Sequence, residues 1–220
     1  MLQANGFDKL ARVYRLLEYA SFGPLLWKTR TACLPQLCNA QRALILGDGD
    51  GRFTAALLHA NSSVHVVAVD ASRTMLDGLR ARVAAQGHAS RLQVIHADAT
   101  TFQPGGSFDL VCTHFFLDCL HNAEVNRIVG LCASHLSHKA QWVVSEFAVP
   151  PGIMRVPAWL LVRLLYLAFG GLTGLRVRRL PDYAAVLQEA GFVRVGLKCR
   201  LFGALRSERW QLNRTVDPHS

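Results

Sequence analysis

Three glycines at alternate positions, Gly47, Gly49 and Gly51, enclose two carboxylates, Asp48 and Asp50. A short apolar run, Ala43-Leu44-Ile45-Leu46, leads into them, and Phe53 to Ala60 follows as a helix. Glycine lets backbone come close to a ligand, and a helix start offers unpaired N–H groups, so strand, turn and helix together make a binding site. The dinucleotide fingerprint is G-x-G-x-x-G, with a pyrophosphate at the helix start. Here the glycines close up to G-x-G-x-G. Two acids in that loop disfavour a pyrophosphate and suit a ligand that carries positive charge. Nineteen residues beyond Gly51, Asp70 ends a second apolar run, Val64-His65-Val66-Val67-Ala68-Val69. A carboxylate there is placed to bind ribose hydroxyls.

These residues need a frame that gathers strand ends. Periodicity predicts strand 43–46, helix 52–60, strand 64–69, helix 72–86, strands 92–96 and 108–113, helix 122–136 and strand 141–147. Ser72 is placed to cap its helix and Gly87 to end it. Such alternation implies an α/β fold, a mostly parallel sheet with helices on both faces. Ligands bind these sheets at the C-terminal strand ends, near the switch in strand order. Gly47, Asp70, Asp98 and His114 all fall at such ends. Before the alternation, helical spacing runs over 7–31 with a break at Gly23-Pro24, and a second helix is expected to about Cys38. After it, Pro181-Asp182-Tyr183 opens a helix that ends at Ala190-Gly191-Phe192, followed by strands 193–200 and 205–212.

With these pieces in place the chain resembles the class I S-adenosylmethionine-dependent methyltransferases. ALILGDGDG, VVAVDAS, HADAT and FDLVCTHFFLDCL come in that family's order and spacing, over roughly 41–147. The resemblance implies a Rossmann-like seven-stranded sheet, mostly parallel, in a single methyltransferase domain. Residues 1–40 would be an N-terminal helical cap, 41–147 the cofactor-binding core, 148–181 a helical insert after the fifth strand, and 182–212 the C-terminal part of the sheet. It implies S-adenosylmethionine as cofactor, held by Gly47, Asp48, Gly49, Gly51, Asp70 and Ala71, with Met75 packing on adenine and Asp98-Ala99 as the adenine-binding pair. Ordinary core packing is the plainer reading of Met75. The family's usual acid two residues before the first glycine is Ile45 here, which leaves Asp48 or Asp50 to meet the methionine amino group. In many relatives an N-terminal aromatic covers the cofactor, a role open to Tyr14 or Tyr19, which also read as core aromatics. His114 is expected to face cofactor or substrate. It can serve as a base, with Asp118 to orient it, since methyl transfer mainly requires a positioned nucleophile. The plainer reading is a structural histidine and a helix-capping aspartate.

Composition narrows the classes further. Hydrophobic residues make up 51% of the 220-residue chain, ample for a core and incompatible with disorder. The N-terminus lacks an apolar signal core, and the six cysteines form no C-x-x-C pair, so reduced thiols in a cytoplasmic protein are expected, with no metal site. The formal charge of +9 sits in the flanks, whereas 43–150 is slightly acidic. That pattern fits a solubilising surface, or attraction to an anionic substrate, to nucleic acid or to the inner face of an anionic membrane.

The stretch 150–181 is apolar nearly all round, with Arg155, Trp159, Arg163, Tyr166 and Gly170 on one stripe. Only twelve residues separate Pro157 from Gly170, against about 20 for a transmembrane helix. A lid over an apolar pocket is preferred to a peripheral membrane contact through 153–179 or a dimer surface. The opening Phe7-Asp8-Lys9-Leu10-Ala11-Arg12-Val13-Tyr14 and the Pro-rich insert loosely resemble ubiquinone and menaquinone methyltransferases. The N-P-P-[FY] signature of many DNA- and protein-methylating relatives is absent, which disfavours nucleic acid as a partner. The expected function is methylation of a small hydrophobic or lipid-like acceptor. Two alternatives stay open, an NAD-dependent oxidoreductase and a non-catalytic S-adenosylmethionine-binding or membrane-associated module.

Overall fold

The structure, a computed structural model, describes residues 24–160, 162–163 and 180–213. The expectations for Tyr14, Tyr19 and the N-terminal helix before Pro24, and for most of the insert, lie outside the described residues. The elements are α1 (Pro24–Arg30), β1 (Arg42–Leu46), α2 (Arg52–Ala60), β2 (His65–Asp70), α3 (Arg73–Ala85), β3 (Leu92–His96), β4 (Phe108–His114), α4 (Asn122–Ala133), β5 (Leu136–Phe147), α5 (Tyr183–Glu189), β6 (Phe192–Arg200) and β7 (Leu205–Leu212). The strands form one sheet in the order β3-β2-β1-β4-β5-β7-β6. β1 to β5 run parallel, and β7 is antiparallel to both its neighbours.

Strand order reverses at β1, where β2 lies on one side and β4 on the other. Leu46 is level with Val69 on β2 and Thr113 on β4. The next residue of each strand is therefore Gly47, Asp70 and His114, side by side at the C-terminal edge. On the outer strands Asp70 is level with His96, and His114 with Ser145. The register thus gathers five segments far apart in sequence.

Burial explains why the inner strands read as unbroken apolar runs. Ala43 to Leu46 are all buried, with Leu44 and Leu46 in one core layer and Ala43 and Ile45 in the other. The opposite end of the sheet is closed by single polar side chains. Asp109 accepts from the N–H of Gln41 and of Arg42, at 2.8 and 2.9 Å, and so starts β1 beside β4. Buried Asn61 donates to the carbonyls of Leu37 and Ala40 and accepts from the N–H of Ser63 and Val64. That satisfies the turn between α2 and β2 from within.

Ser72 caps α3 by accepting from Met75 N, and Gly87, at φ 76°, follows its end. Two boundaries differ from the sequence reading. The helix expected to reach Cys38 stops at Arg30, and a 3-10 turn at Leu34–Gln36 follows, with Pro35 unable to continue the α-helical ladder. The helix expected to reach 136 stops at Ala133, and β5 starts at Leu136 rather than 141. The polar Ser137-His138-Lys139 hides that first part of the strand, and Lys139 takes a left-handed φ of 64° there.

Candidate active site

β1 hands the chain to three left-handed residues, Gly47, Gly49 and Gly51, at φ 68°, 61° and 76°. The left-handed region costs an L-residue about 1–2 kcal/mol, so glycine is favoured at all three. Space separates them. A Cβ on Gly47 would overlap the ring of Phe116, and one on Gly51 would overlap Leu79, with the Leu79 Cα at 2.9 Å. On Gly49 a Cβ would meet only Met75 Sδ, at an ordinary 3.6 Å. Gly47 and Gly51 therefore serve the protein's own packing. Gly49 leaves a face open to a ligand, beside Met75.

The loop acids are engaged with protein groups. Asp48 is buried, and its Oδ2 accepts from the N–H and hydroxyl of Thr54, at 2.8 and 2.7 Å, which locks the loop to the first turn of α2. Burial pushes the Asp48 carboxyl up to about 6, against the pull of Thr54 and the nearby Arg30 charge. Asp50 pairs with Arg82 at 2.8 Å and Arg52 at 3.3 Å. Asp70 bridges two loops, since Oδ2 accepts from Gly49 N at 3.3 Å and Oδ1 from Ser72 N at 2.8 Å. Burial raises its carboxyl above the usual range, and those N–H groups oppose the rise. Ala71 is exposed beside it. Ala97 N donates to Asp70 O, which brings Asp98 and Ala99 alongside. Asp98 is exposed and folds its Oδ1 back onto Thr100 N, at 2.8 Å.

His114 is 3% exposed and packs edge-on to Phe53, with ring centroids 4.1 Å apart. Its Nδ1 lies 2.9 Å from Ser145 Oγ, and Nε2 is buried without a hydrogen-bond partner. The orienting group is thus Ser145, where the sequence offered Asp118. Burial first, and the Arg30 charge second, push the imidazole down to about 3, so it is neutral at physiological pH. Phe115 then turns the chain at φ 53°, and Phe116 and Leu117 donate their N–H groups to Glu146 Oε1, at 3.1 and 2.8 Å. Asp118 neighbours Glu146, and both are buried. Burial, above all, raises both acids, Asp118 to about 6 and Glu146 well beyond its ordinary range, where the Asp118 charge adds to the rise. Two such carboxyls favour holding one proton between them.

Sequence reasoning missed Glu146, Phe116 and Arg30. Glu146 fixes the loop after β4, Phe116 fills the space over Gly47, and Arg30 sets its charge near Asp48 and His114. The one signal in the sequence is an acid closing the apolar run Trp142-Val143-Val144-Ser145-Glu146. Among the described residues no three His, Cys, Asp or Glu side chains converge as for a metal ion.

Residues 43–139 match the methyltransferase domain family. A demethylmenaquinone methyltransferase from Clavibacter sepedonicus is 33% identical over 148 residues, 66% of this chain and 58% of that protein. The chain therefore spans under two thirds of the length of this relative. The structure of the mitomycin 7-O-methyltransferase MmcR is similar with a TM-score of 0.71 at 18% identity, over 93% of this chain and 60% of that one. The N-methyltransferase NodS from Bradyrhizobium japonicum is similar with a TM-score of 0.60 at 13% identity, over 86% of this chain and 98% of that one. Residues 43–139 thus carry the match to the methyltransferase domain family, and the chain shares the fold of solved methyltransferases.

Two substitutions separate the glycines of this loop. Gly49→Val is expected to stay folded, with a strain of about 1–2 kcal/mol, and to lose S-adenosylhomocysteine binding in calorimetry. Gly51→Val, forced into Leu79, is expected not to fold. Wild-type affinity in Gly49→Val would show that the loop is only a turn.

His114 has an effect on acid stability of definite sign. Its folded pKa of about 3 lies below the unfolded value of 6.5, so the unfolded chain binds the extra proton. The contribution of the neutral ring is complete above pH 6.5 and declines as pH falls towards 3. By pH 5 the loss is roughly 2 kcal/mol. Asp48 and Asp118, with raised pKa values, act in the opposite sense, so comparison with a variant isolates the histidine. The Tm of His114→Asn should fall less than that of wild type between neutral and mildly acid pH; parallel declines would contradict the assignment.

Proposed function

We propose that this chain transfers the methyl group of S-adenosylmethionine to a small apolar acceptor of quinone-like character. The observation that carries the acceptor class is the 33% identity to a demethylmenaquinone methyltransferase. The apolar insert agrees with it, since five arginines and no acid occur between Glu146 and Asp182.

In this reading the backbone of Gly49 meets the cofactor, with Gly47 and Gly51 shaping the loop. Asp70, with Ala71, holds the ribose diol, Met75 lies against adenine, and Asp98 with Ala99 meets the adenine edge. Asp48, tied to Thr54, fixes the loop and adds negative charge near the methionine end. The cofactor supplies an electrophilic methyl group on a sulfonium with a neutral leaving group, so the residues chiefly position the nucleophile. His114 faces the acceptor. Ser145 Oγ is within hydrogen-bond reach of Ser207 Oγ at 3.1 Å and Thr29 O at 3.4 Å, so it can accept from Nδ1–H while donating onward. That tautomer leaves Nε2 as an acceptor for a substrate hydroxyl. Asp118 acts through Glu146 on the placement of the loop after β4.

A second reading, a cofactor-binding module without turnover, is favoured by Ile45, which stands 1% exposed where relatives carry an acid. Transfer of label from methyl-labelled S-adenosylmethionine to a reduced naphthoquinone tests both. The proposal expects labelled quinone in the organic extract. Asp70→Ala is expected to weaken cofactor binding at least tenfold, because charge-assisted hydrogen bonds contribute roughly 1.5–3 kcal/mol each. Tight cofactor binding with no transfer to any acceptor class would favour the module.

A further inference from the structure

β7 runs antiparallel to β5, with Phe147 level with Leu205, so the β6–β7 connection lies at the same end of the sheet as Gly47, Asp70 and His114. Three successive residues of that connection are left-handed, Leu201 at φ 49°, Phe202 at 53° and Gly203 at 91°. Two bulky residues in that region hold strain that the surroundings must enforce. Leu201 packs against the small core of Leu26, Phe115 and Leu205, which anchors the loop. Phe202 gains no such burial and stands 78% exposed. The strain therefore displays an aromatic side chain to the outside.

A second apolar segment begins beside it. Ala148 N donates to Ala204 O at 2.9 Å, and a Cβ on Gly203 would stand 3.2 Å from Pro150 Cβ. Three residues beyond Pro150, Ile153 is 95% exposed, and Val156, Trp159 and Leu160 are also exposed. Cations accompany both segments. Arg155 is exposed, Arg163 stacks on Trp159 at 5.1 Å, and Arg200 and Arg206 flank the strained loop. No helix among the described residues is long and apolar enough to cross a membrane.

We infer that Phe202, Ile153, Val156, Trp159 and Leu160 form a patch that seats this rim of the protein on an anionic lipid surface. Exposed apolar side chains enter the boundary between headgroups and acyl chains, and arginines meet the phosphates. A protein partner would be expected to meet these cations with carboxylates and to cover a flatter face. Apolar tips on two adjoining segments, one strained outward, fit a soft interface better. The patch adjoins the strand ends, so a lipid-like acceptor would reach the site without crossing water. That purpose rests on the acceptor reading above; the contact itself does not.

Co-sedimentation with phosphatidylcholine vesicles, with and without phosphatidylglycerol, tests the contact in the absence of cofactor and acceptor. The wild type is expected to pellet with the anionic vesicles at low salt and to detach as salt rises. The doubly substituted Ile153→Asp, Phe202→Asp protein should bind them roughly tenfold more weakly or worse, with S-adenosylhomocysteine affinity unchanged. Phe202→Gly, which relieves the left-handed strain, should raise the Tm while lowering vesicle affinity. A wild type that stays in the supernatant, or variants that pellet equally, would overturn the inference. So would vesicle-free self-association that Phe202→Gly abolishes in sedimentation velocity, because the patch would then be a protein contact. A wild type that pellets yet methylates no quinone would sustain this inference and sink the acceptor reading.

Discussion

Phe116 and Leu79 stand where side chains on Gly47 and Gly51 would have to be. The turn out of β1 is therefore fixed by the side chains of two other segments as well as by its own φ angles. Phe116 is held by its N–H to Glu146 at the end of β5, and Leu79 by its place in α3. Asp48 then locks the start of α2 through Thr54, and Asp70 reaches across from β2 to Gly49 N. A displacement of any of these moves the loop, and with it the one glycine face left open. Side chains that never meet a ligand in this way set the shape of the surface that does.

The same arrangement buries more acid than an interior tolerates without compensation. Asp48, Asp70 and Glu146 each accept from one or two backbone N–H groups. Those bonds offset the cost of burial only in part, and all three carboxyls stay raised above their ordinary range. His114 is the converse case, a base kept neutral by burial and by a neighbouring arginine. The strand ends are thus rich in hydrogen-bonding groups whose positions the backbone fixes, whereas the rim beyond β5 is apolar and cationic.

Much of this frame was legible because the inner strands are buried on both faces and end abruptly. Ala43–Leu46 stops at glycine and Val64–Val69 at an acid, and the parallel register brings Gly47, Asp70 and His114 level as the alternation implied. Ser72 and Asp182 were recognisable as helix starts because each caps by side chain. What stayed hidden depends on partners remote in sequence. Nothing local shows that Asp48 will turn inward to Thr54, or that Ser145, 31 residues on, will orient His114. The polar start of β5 read as the end of a helix, since a strand with Ser137, His138 and Lys139 shows no period of two. The strain at Leu201 and Phe202 carries no signal in residue type, because neither favours a left-handed backbone.

In the function proposed above, the open face of Gly49, beside Asp70 and Met75, takes an adenosyl sulfonium rather than a dinucleotide. Calorimetric titration of the whole chain with S-adenosylhomocysteine and, separately, with NAD addresses it directly. The account predicts binding of the first in the micromolar range, near −8 kcal/mol, and no measurable heat with the second. Binding of NAD with equal or greater affinity, or of neither ligand, would contradict it.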